Sequence, residues 1–447
     1  MDLKHGAAMN NQNTLPPRLA KKLKFAERLI NQRAFERAER VLSDIQKRLT
    51  KPYPLPVHQV EGLMAFQCKR YEAARQIFKS VWERDKRNPV AHLFLGRIYR
   101  KLHQPKIALM FLENGVALRP QDDNLRSEQI SALLELNRED EASALIDRWM
   151  GEGEPGGQLL NAAAGVKRQN GELSEAVDFY RRSFAKMIQQ TPGADKSDKD
   201  AKASFDVERH EDTLWGVLSQ LRVAGVHAFT FAGTLLGLTR DGKLLPFDKD
   251  VDIGVPYNEM QAAAACMLAN GWREINNSFG LLSPRAFTHP TKGLAIDMFA
   301  FFYDEKTNST QTGFVMRNVP FEWNYLLAFS ALELETTDSP HGLVWNLKHR
   351  EKFLETQYGP GWRYPDPQFA SFAGEYNLID FSYLTQCYAY IRLFKNWQSG
   401  SFLKMRVLLQ NMLYHKPQDE LLLRAQVVVD KHLKKVRDRQ ENENAFR

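Results

Sequence analysis

Between Gly233 and Gly254 the chain sets a small-residue turn, a short apolar stretch, and then Asp248, Asp250 and Asp252 at alternate positions. Alternation by two puts side chains on one side of an extended segment. Acids crowded on one face repel one another unless a cation sits between them. An oxygen-only donor set of this kind suits Mg²⁺ or Mn²⁺, held together with a substrate phosphate. A further acid, Asp297, stands in the middle of Leu-Ala-Ile-Asp-Met-Phe-Ala-Phe-Phe at 294–302, which otherwise reads as a plain buried strand. An unpaired buried carboxylate is costly, so Asp297 needs a cation or a donor. Joining it to Asp250 and Asp252 in one metal site meets that need. The residue types therefore point to metal-assisted chemistry at phosphorus.

Several elements must position these groups. A helix from 207 runs through Leu214, Trp215, Val217, Leu218 and Leu221 and stops at Gly225. Val226–Phe231 reads as a strand entering the Ala-Gly-Thr turn at 232–234. A short helix over Leu235–Arg240 then offers N-terminal amides and a dipole to a phosphate. The carboxylate segment follows, and after it a helix over 257–269. Residues 371–447 read as a helical extension with an apolar stripe at Leu403, Val407, Leu408 and Met412, its last ten residues without structure. A membrane-surface helix is the sharper reading of its basic end, at Lys431, Lys434, Lys435 and Arg437.

The front half shows a period. Ala74, Ala108, Ala142 and Ala176 recur every 34 residues, with Gly62, Gly96, Ile130 and Ala164 twelve residues before them. Phe78, Leu112, Ile146 and Tyr180 follow four residues later, and Ala38 begins a further copy 36 residues before Ala74. Small residues where two helices touch, backed by a large apolar one, resemble tetratricopeptide (TPR) repeats. About five repeats over 18–190 would stack into a solenoid with a concave docking surface. Polar residues 191–206 read as a linker.

The back half resembles the LicD/fukutin family over roughly residues 207–370. The matching elements are Gly233 to Gly237, Arg240, Pro246 to Asp252, Ile296 to Phe299, and Tyr358 to Trp362 with Pro365 beyond; Phe247 stands where Trp is more usual. The resemblance implies a branch of the nucleotidyltransferase fold. It also implies transfer of a phospho-substituent, such as phosphocholine or an alditol phosphate, from a CDP-linked alcohol to a hydroxyl of a cell-surface glycan, releasing CMP. On that reading Asp250, Asp252 and Asp297 are the catalytic acids, and Asp248 joins them as a metal ligand or lies just behind. Gly233 and Thr234 let the backbone approach the donor phosphates, and Arg240 pairs with one of them.

Composition bounds these readings. The 447 residues carry a net charge of +7, but residues 1–120 hold 24 Lys or Arg against 10 Asp or Glu. So basic a front attracts polyanions, among them nucleic acid, an anionic membrane face or an anionic glycan. Cys68, Cys266 and Cys387 have no metal-ligand spacing and fit a reducing compartment. Neither a signal peptide nor a membrane span is evident.

The expected architecture is multidomain, α plus α/β. A TPR α-solenoid at 18–190 and a linker at 191–206 precede a nucleotidyltransferase-like mixed sheet flanked by helices at 207–370 and a helical extension at 371–447. The expected protein is a cytoplasmic transferase, with peripheral contact at the inner membrane face as the sharper variant. A protein partner or the acceptor docks on the TPR surface, and no nucleic-acid partner is expected. The rival readings are a TPR adaptor with a non-catalytic back domain and a nucleotidyltransferase moving NMP to a protein, RNA or small molecule.

Overall fold

The computed structural model describes residues 15–190, 206–246, 248, 250–275 and 280–445. The expected linker thus lies outside the described residues except for Asp206. The chain divides into two compact units, Met1–Val166 with Gln189–Lys196, and Lys167–Ile188 with Ser197–Arg447.

The described residues of the front half form helical pairs: α1 (Pro17–Asn31) with α2 (Phe35–Gln46), α3 (Leu55–Gln67) with α4 (Tyr71–Arg84), and α5 (Pro89–Lys101) with α6 (Pro105–Leu118). After them come α7 (Asp123–Glu135), α8 (Glu139–Gly151), α9 (Gly157–Gln169) and α10 (Leu173–Met187). Why the helices pair this closely is visible at two glycines. A Cβ on Gly62 would stand 2.7 Å from the Phe78 ring, and one on Gly96 2.5 Å from Leu112. In these two pairs only a residue without a side chain lets the first helix approach the large residue of the second this closely. The turn inside each pair also repeats, with Arg33, Lys69, His103, Asn137 and Gly171 all at positive φ, between 54° and 83°. Each stands five residues before one of the buried alanines that mark the period. The last helix of the array, α10, belongs to the second compact unit.

That unit is built on α11 (Val207–Val223), whose first turn is capped by Asp206 accepting from the Arg209 N–H. It ends at Gly225, φ 78°. β1 follows at Phe229–Thr230, shorter than the expected strand over 226–231, and then α12 (Ala232–Arg240) and β2 (Val251–Pro256). A short 3₁₀ turn, Tyr257–Glu259, precedes α13 (Met260–Ala269) where one continuous helix was expected. The strands that follow are β3 (Arg273–Glu274), β4 (Leu281–Ser283), β5 (Arg285–Thr288), β6 (Ala295–Asp304), β7 (Ser309–Met316) and β8 (Tyr325–Ser330). A separate hairpin, β9 (Leu334–Ser339) and β10 (Gly342–Leu347), leads to α14 (Arg350–Tyr358).

The main sheet is mixed. Its order is β1-β2-β6-β5-β3, with β7 joining β6 to β4 and β8; β2 and β6 are parallel and the other pairs antiparallel. Strand alternation sorts the side chains onto two faces. Val251, Ile253 and Val255 of β2, with Ile296, Met298 and Ala300 of β6, enter one core together with α11 and α13. The opposite face carries an aromatic core in which Phe229, Phe231, Phe299, Phe301, Phe329 and Phe353 meet. Asp252 and Asp297, out of phase with the first set, belong to this second face.

Residues 371–382 are irregular, and the helical extension begins with α15 (Tyr383–Ser399), continuing as α16 (Phe402–His415) and α17 (Glu420–Ala445). The last helix therefore runs through most of the ten residues expected to lack structure. α10 packs beside α15: Leu173 is buried with Leu384 and Met316. Arg181 donates to the Tyr390 hydroxyl (2.8 Å) and pairs with the buried Asp419. No helix among the described residues is long and apolar enough to cross a membrane.

Candidate active site

β2 and β6 run side by side with Asp252 and Asp297 as register partners. Adjacent strands lie about 4.8 Å apart, so the two carboxylates leave the sheet as neighbours on its aromatic face. Asp252 is fixed from behind: its N–H donates to the Thr234 hydroxyl (2.8 Å), and its C=O accepts from the Phe231 N–H (3.1 Å). The Gly233 N–H donates to the Asp252 carboxylate. Thr234, almost wholly buried, thus serves to hold the acid strand against α12.

The turn that makes this possible is tight. Ala232 takes φ 43°, costly for a residue with a side chain, and Gly233 follows it. A Cβ on Gly233 would stand 2.8 Å from Asp248 Oδ2 and 3.8 Å from Asp252 Oδ2. Two of the acids therefore converge over the bare backbone at the start of α12. Further along the helix, a Cβ on Gly237 would meet the Lys243 carbonyl oxygen at 2.7 Å. That close approach folds the 241–246 loop back along α12 and returns the chain to the acids.

One expectation is corrected. Asp248 and Asp250 do not share a strand with Asp252, because β2 begins only at Val251. They sit in the irregular approach to the strand, and Phe247 and Lys249 lie outside the described residues. Their proximity to Asp252 comes from the loop closing over Gly233, not from alternation along one segment.

The electrostatics of the group are those of crowded acids. Burial pushes the Asp252 carboxyl well above its ordinary range, and Asp250, Asp297 and Asp248 push it further against the one Gly233 hydrogen bond. Asp297 is raised to about 6, by burial first and by Asp250 second. Arg240, at the far end of α12, does not discharge them. It is forked onto Asp241, with Nε to Oδ1 and Nη2 to Oδ2 both at 2.9 Å.

Among the described residues no three acid, histidine or cysteine side chains form a finished ligand set. What fits a divalent cation is the all-oxygen donor chemistry of Asp248, Asp250, Asp252 and Asp297 and the repulsion it would relieve.

A buried polar group beyond the expected residues borders the site. Glu375, in the irregular 371–382 segment, accepts from the Tyr325 hydroxyl (2.7 Å) and the Phe372 N–H (3.0 Å) through Oε1. Burial raises its carboxyl above the ordinary range. Tyr358, the last residue of α14, packs edge-on against Phe369 at 5.1 Å between centroids. Its hydroxyl is pushed up by burial first, then by Asp252, Glu375 and Asp248, with Arg240 opposing. Tyr358 already stands out in sequence within Tyr-Gly-x-x-Trp, whereas nothing around Glu375 marks it.

Residues 225–338 match the family model described as the LicD/FKTN/FKRP nucleotidyltransferase domain, and residues 64–192 match a tetratricopeptide repeat model. The chain therefore carries a LicD-type domain, a domain of transferase enzymes, behind a TPR array. No curated protein sequence matches the chain. Similar solved structures include TTC0263, a thermophilic TPR protein of Thermus thermophilus, at 16% identity over 38% of this chain and 91% of that one, TM-score 0.34. YrrB, a TPR protein with an unusual peptide-binding site, is 19% identical over 36% of this chain and 83% of its own, TM-score 0.29. A structure of MamA is 18% identical over 38% of this chain and 98% of its own, TM-score 0.29.

Proposed function

We propose that the back unit transfers a phospho-substituent from a CDP-linked alcohol to a hydroxyl of a cell-surface glycan. The observation that carries this reading is the register pairing of Asp252 with Asp297 beside the Gly233 turn, within the segment that matches the LicD-type model. Asp248, Asp250, Asp252 and Asp297 are the residues that would hold Mg²⁺ or Mn²⁺. Such an ion would neutralise the donor diphosphate and polarise the phosphorus under attack.

The chain's own groups account for the rest. The bare backbone at Gly233, where a side chain would meet Asp248, lets the acids and the donor diphosphate come close to the start of α12. Asp297 accepts the acceptor hydroxyl's proton. The freed oxygen lone pair forms the new bond to the alcohol-bearing phosphorus. The bond from that phosphorus to the bridging oxygen breaks, and its electron pair leaves with CMP. Arg240, turned from Asp241, pairs with the departing phosphate.

The TPR array docks a protein partner or the acceptor. In its favour is a cleft of about 230 Å³ lined by Phe66, Arg97, Arg100, Lys101, Glu128 and Glu135. We place the reaction in the cytoplasm, with a peripheral membrane approach by the basic end of α17; the unpaired Cys68, Cys266 and Cys387 support a reducing compartment.

The test is metal-dependent CMP release from a panel of CDP-linked alcohols with glycan acceptors present. Wild type is expected to release CMP from one donor, and Asp252→Asn to lose about 1,000-fold in rate, an order-of-magnitude figure for a group that acts in the transition state. An Asp252→Asn protein as active as wild type overturns the reading.

A further inference from the structure

The loop that brings the acids together is gripped by two helices. Residues 241–246 carry the chain from α12 to Asp248 without forming a helix or a strand. α12 holds them at Gly237, where an added Cβ would stand 2.7 Å from the Lys243 carbonyl oxygen and 3.0 Å from the Leu245 nitrogen. α11 holds the residue between those two. The Leu244 side chain is buried in the core that includes Leu214 and Leu218, and the Leu244 N–H donates to Glu211 Oε1 at 2.7 Å. Glu211 precedes those leucines by three and seven residues, so it lies on the same face of α11. The Leu245 carbonyl then accepts from the Asp248 N–H (3.1 Å). A continuous run of contacts thus leads from Glu211 through Leu244 and Leu245 to Asp248, whose carboxylate lies over Gly233.

We propose that Glu211 is a positioning residue for the metal site: by capturing the Leu244 N–H it fixes the 241–246 loop, and with it Asp248, beside Asp252. The need for such a clamp follows from charge. With no cation bound, like charges push Asp248 away from Asp252, and a loop free to yield would let them part. A loop fixed against that push keeps the oxygens together, so less ordering is required when the cation binds. Glu211 acts here by accepting a hydrogen bond rather than by its charge, and it touches neither cation nor substrate. The inference rests on the acids being a divalent-cation site, as the proposed reaction requires.

Isothermal titration of the full chain with Mn²⁺ alone tests it, beside thermal melts of the metal-free proteins. Glu211→Ala is expected to weaken Mn²⁺ binding about 10-fold, the lower end for groups that orient metal ligands. Glu211→Gln keeps an oxygen to accept from Leu244 and is expected to stay within about twofold of wild type. Ser219→Ala removes a different bond made by α11, to the His341 carbonyl oxygen (2.7 Å). It is expected to bind Mn²⁺ as wild type does, even where it melts lower. Mn²⁺ binding unchanged in Glu211→Ala, or weakened equally in Glu211→Gln or in Ser219→Ala, overturns the inference while leaving the transferase reading in place. Wild type that binds no Mn²⁺ overturns both.

Discussion

At the scale of single residues the site is a set of acids held against their mutual repulsion. Asp252 is anchored by Thr234 and by the Gly233 N–H, and burial first, then the neighbouring charge of Asp250, Asp297 and Asp248, raises its pKa. A fold that crowds like charges gives up stability for function. Asp250→Asn is therefore expected to raise the melting temperature of the metal-free chain by a few degrees, roughly the effect of relieving 1 kcal/mol, and to abolish metal-dependent turnover. Calorimetry in a chelator, beside the CMP assay, reads both. A variant that melts lower without metal would show that the acids do not repel one another as described.

Much of this was open to reading in the amino-acid sequence. Asp-x-Asp-x-Asp after a glycine turn, and one acid inside an apolar strand, are patterns that ordinary cores do not produce. The placement of Asp248 and Asp250 was not, because alternating residues look the same whether or not a neighbouring strand pairs with them. Glu375 was hidden for a different reason: it meets Tyr325 across 50 residues through a segment with no period.

At the scale of elements, the helices and strands owe their positions to close approaches at glycine and to buried polar anchors. Gly62 and Gly96 let the TPR helices pair, and Gly237 returns the acid loop to α12. The repeats were visible as a period of small residues. The recurring positive φ at Arg33 and Lys69 was not, since neither residue type announces a left-handed turn.

The junction of α10 with the C-terminal helices rests on Arg181 and Asp419. Burial alone would raise the Asp419 carboxyl, but the Arg181 hydrogen bonds and the N–H groups of Leu422 and Leu421 outweigh it and hold it below its ordinary value of 3.8. A depressed folded-state pKa contributes stability that is present above the unfolded value and lost as pH falls through the folded one. Arg181→Met, which leaves Asp419 buried without its cation, is expected to cost about 2–3 kcal/mol at pH 7, below the figure for a fully buried pair because Arg181 is partly exposed. The gap from wild type should narrow as pH falls below the unfolded value of about 4 and close only once pH has passed below the depressed folded one, where Asp419 takes a proton in either state. Urea unfolding across pH measures it, and a gap independent of pH would contradict the assignment.

At the scale of the whole molecule, the sequence pattern and the packing divide the chain differently. By pattern α10 completes the repeat array, since Ala176 and Tyr180 keep the register of Ala142 and Ile146. By packing it belongs with the back unit, through Leu173, Leu384 and Arg181. Register alone could not reveal this, because it reports only how a helix meets its repeat partner. A fragment of residues 167–447 is thus expected to unfold cooperatively, and one of residues 189–447 to lose that cooperativity. Circular dichroism melts distinguish them, and equal behaviour would count against the division.

Which phosphorus is attacked decides the account as a whole. With the donor that supports turnover, ³¹P NMR of the products of the full chain, its divalent cation and a glycan acceptor is expected to show free CMP and a new phosphodiester on the glycan, formed in equal amounts. Cytidylyl groups attached to the acceptor, with the alcohol phosphate released instead, would contradict it and make the chain a nucleotidyltransferase.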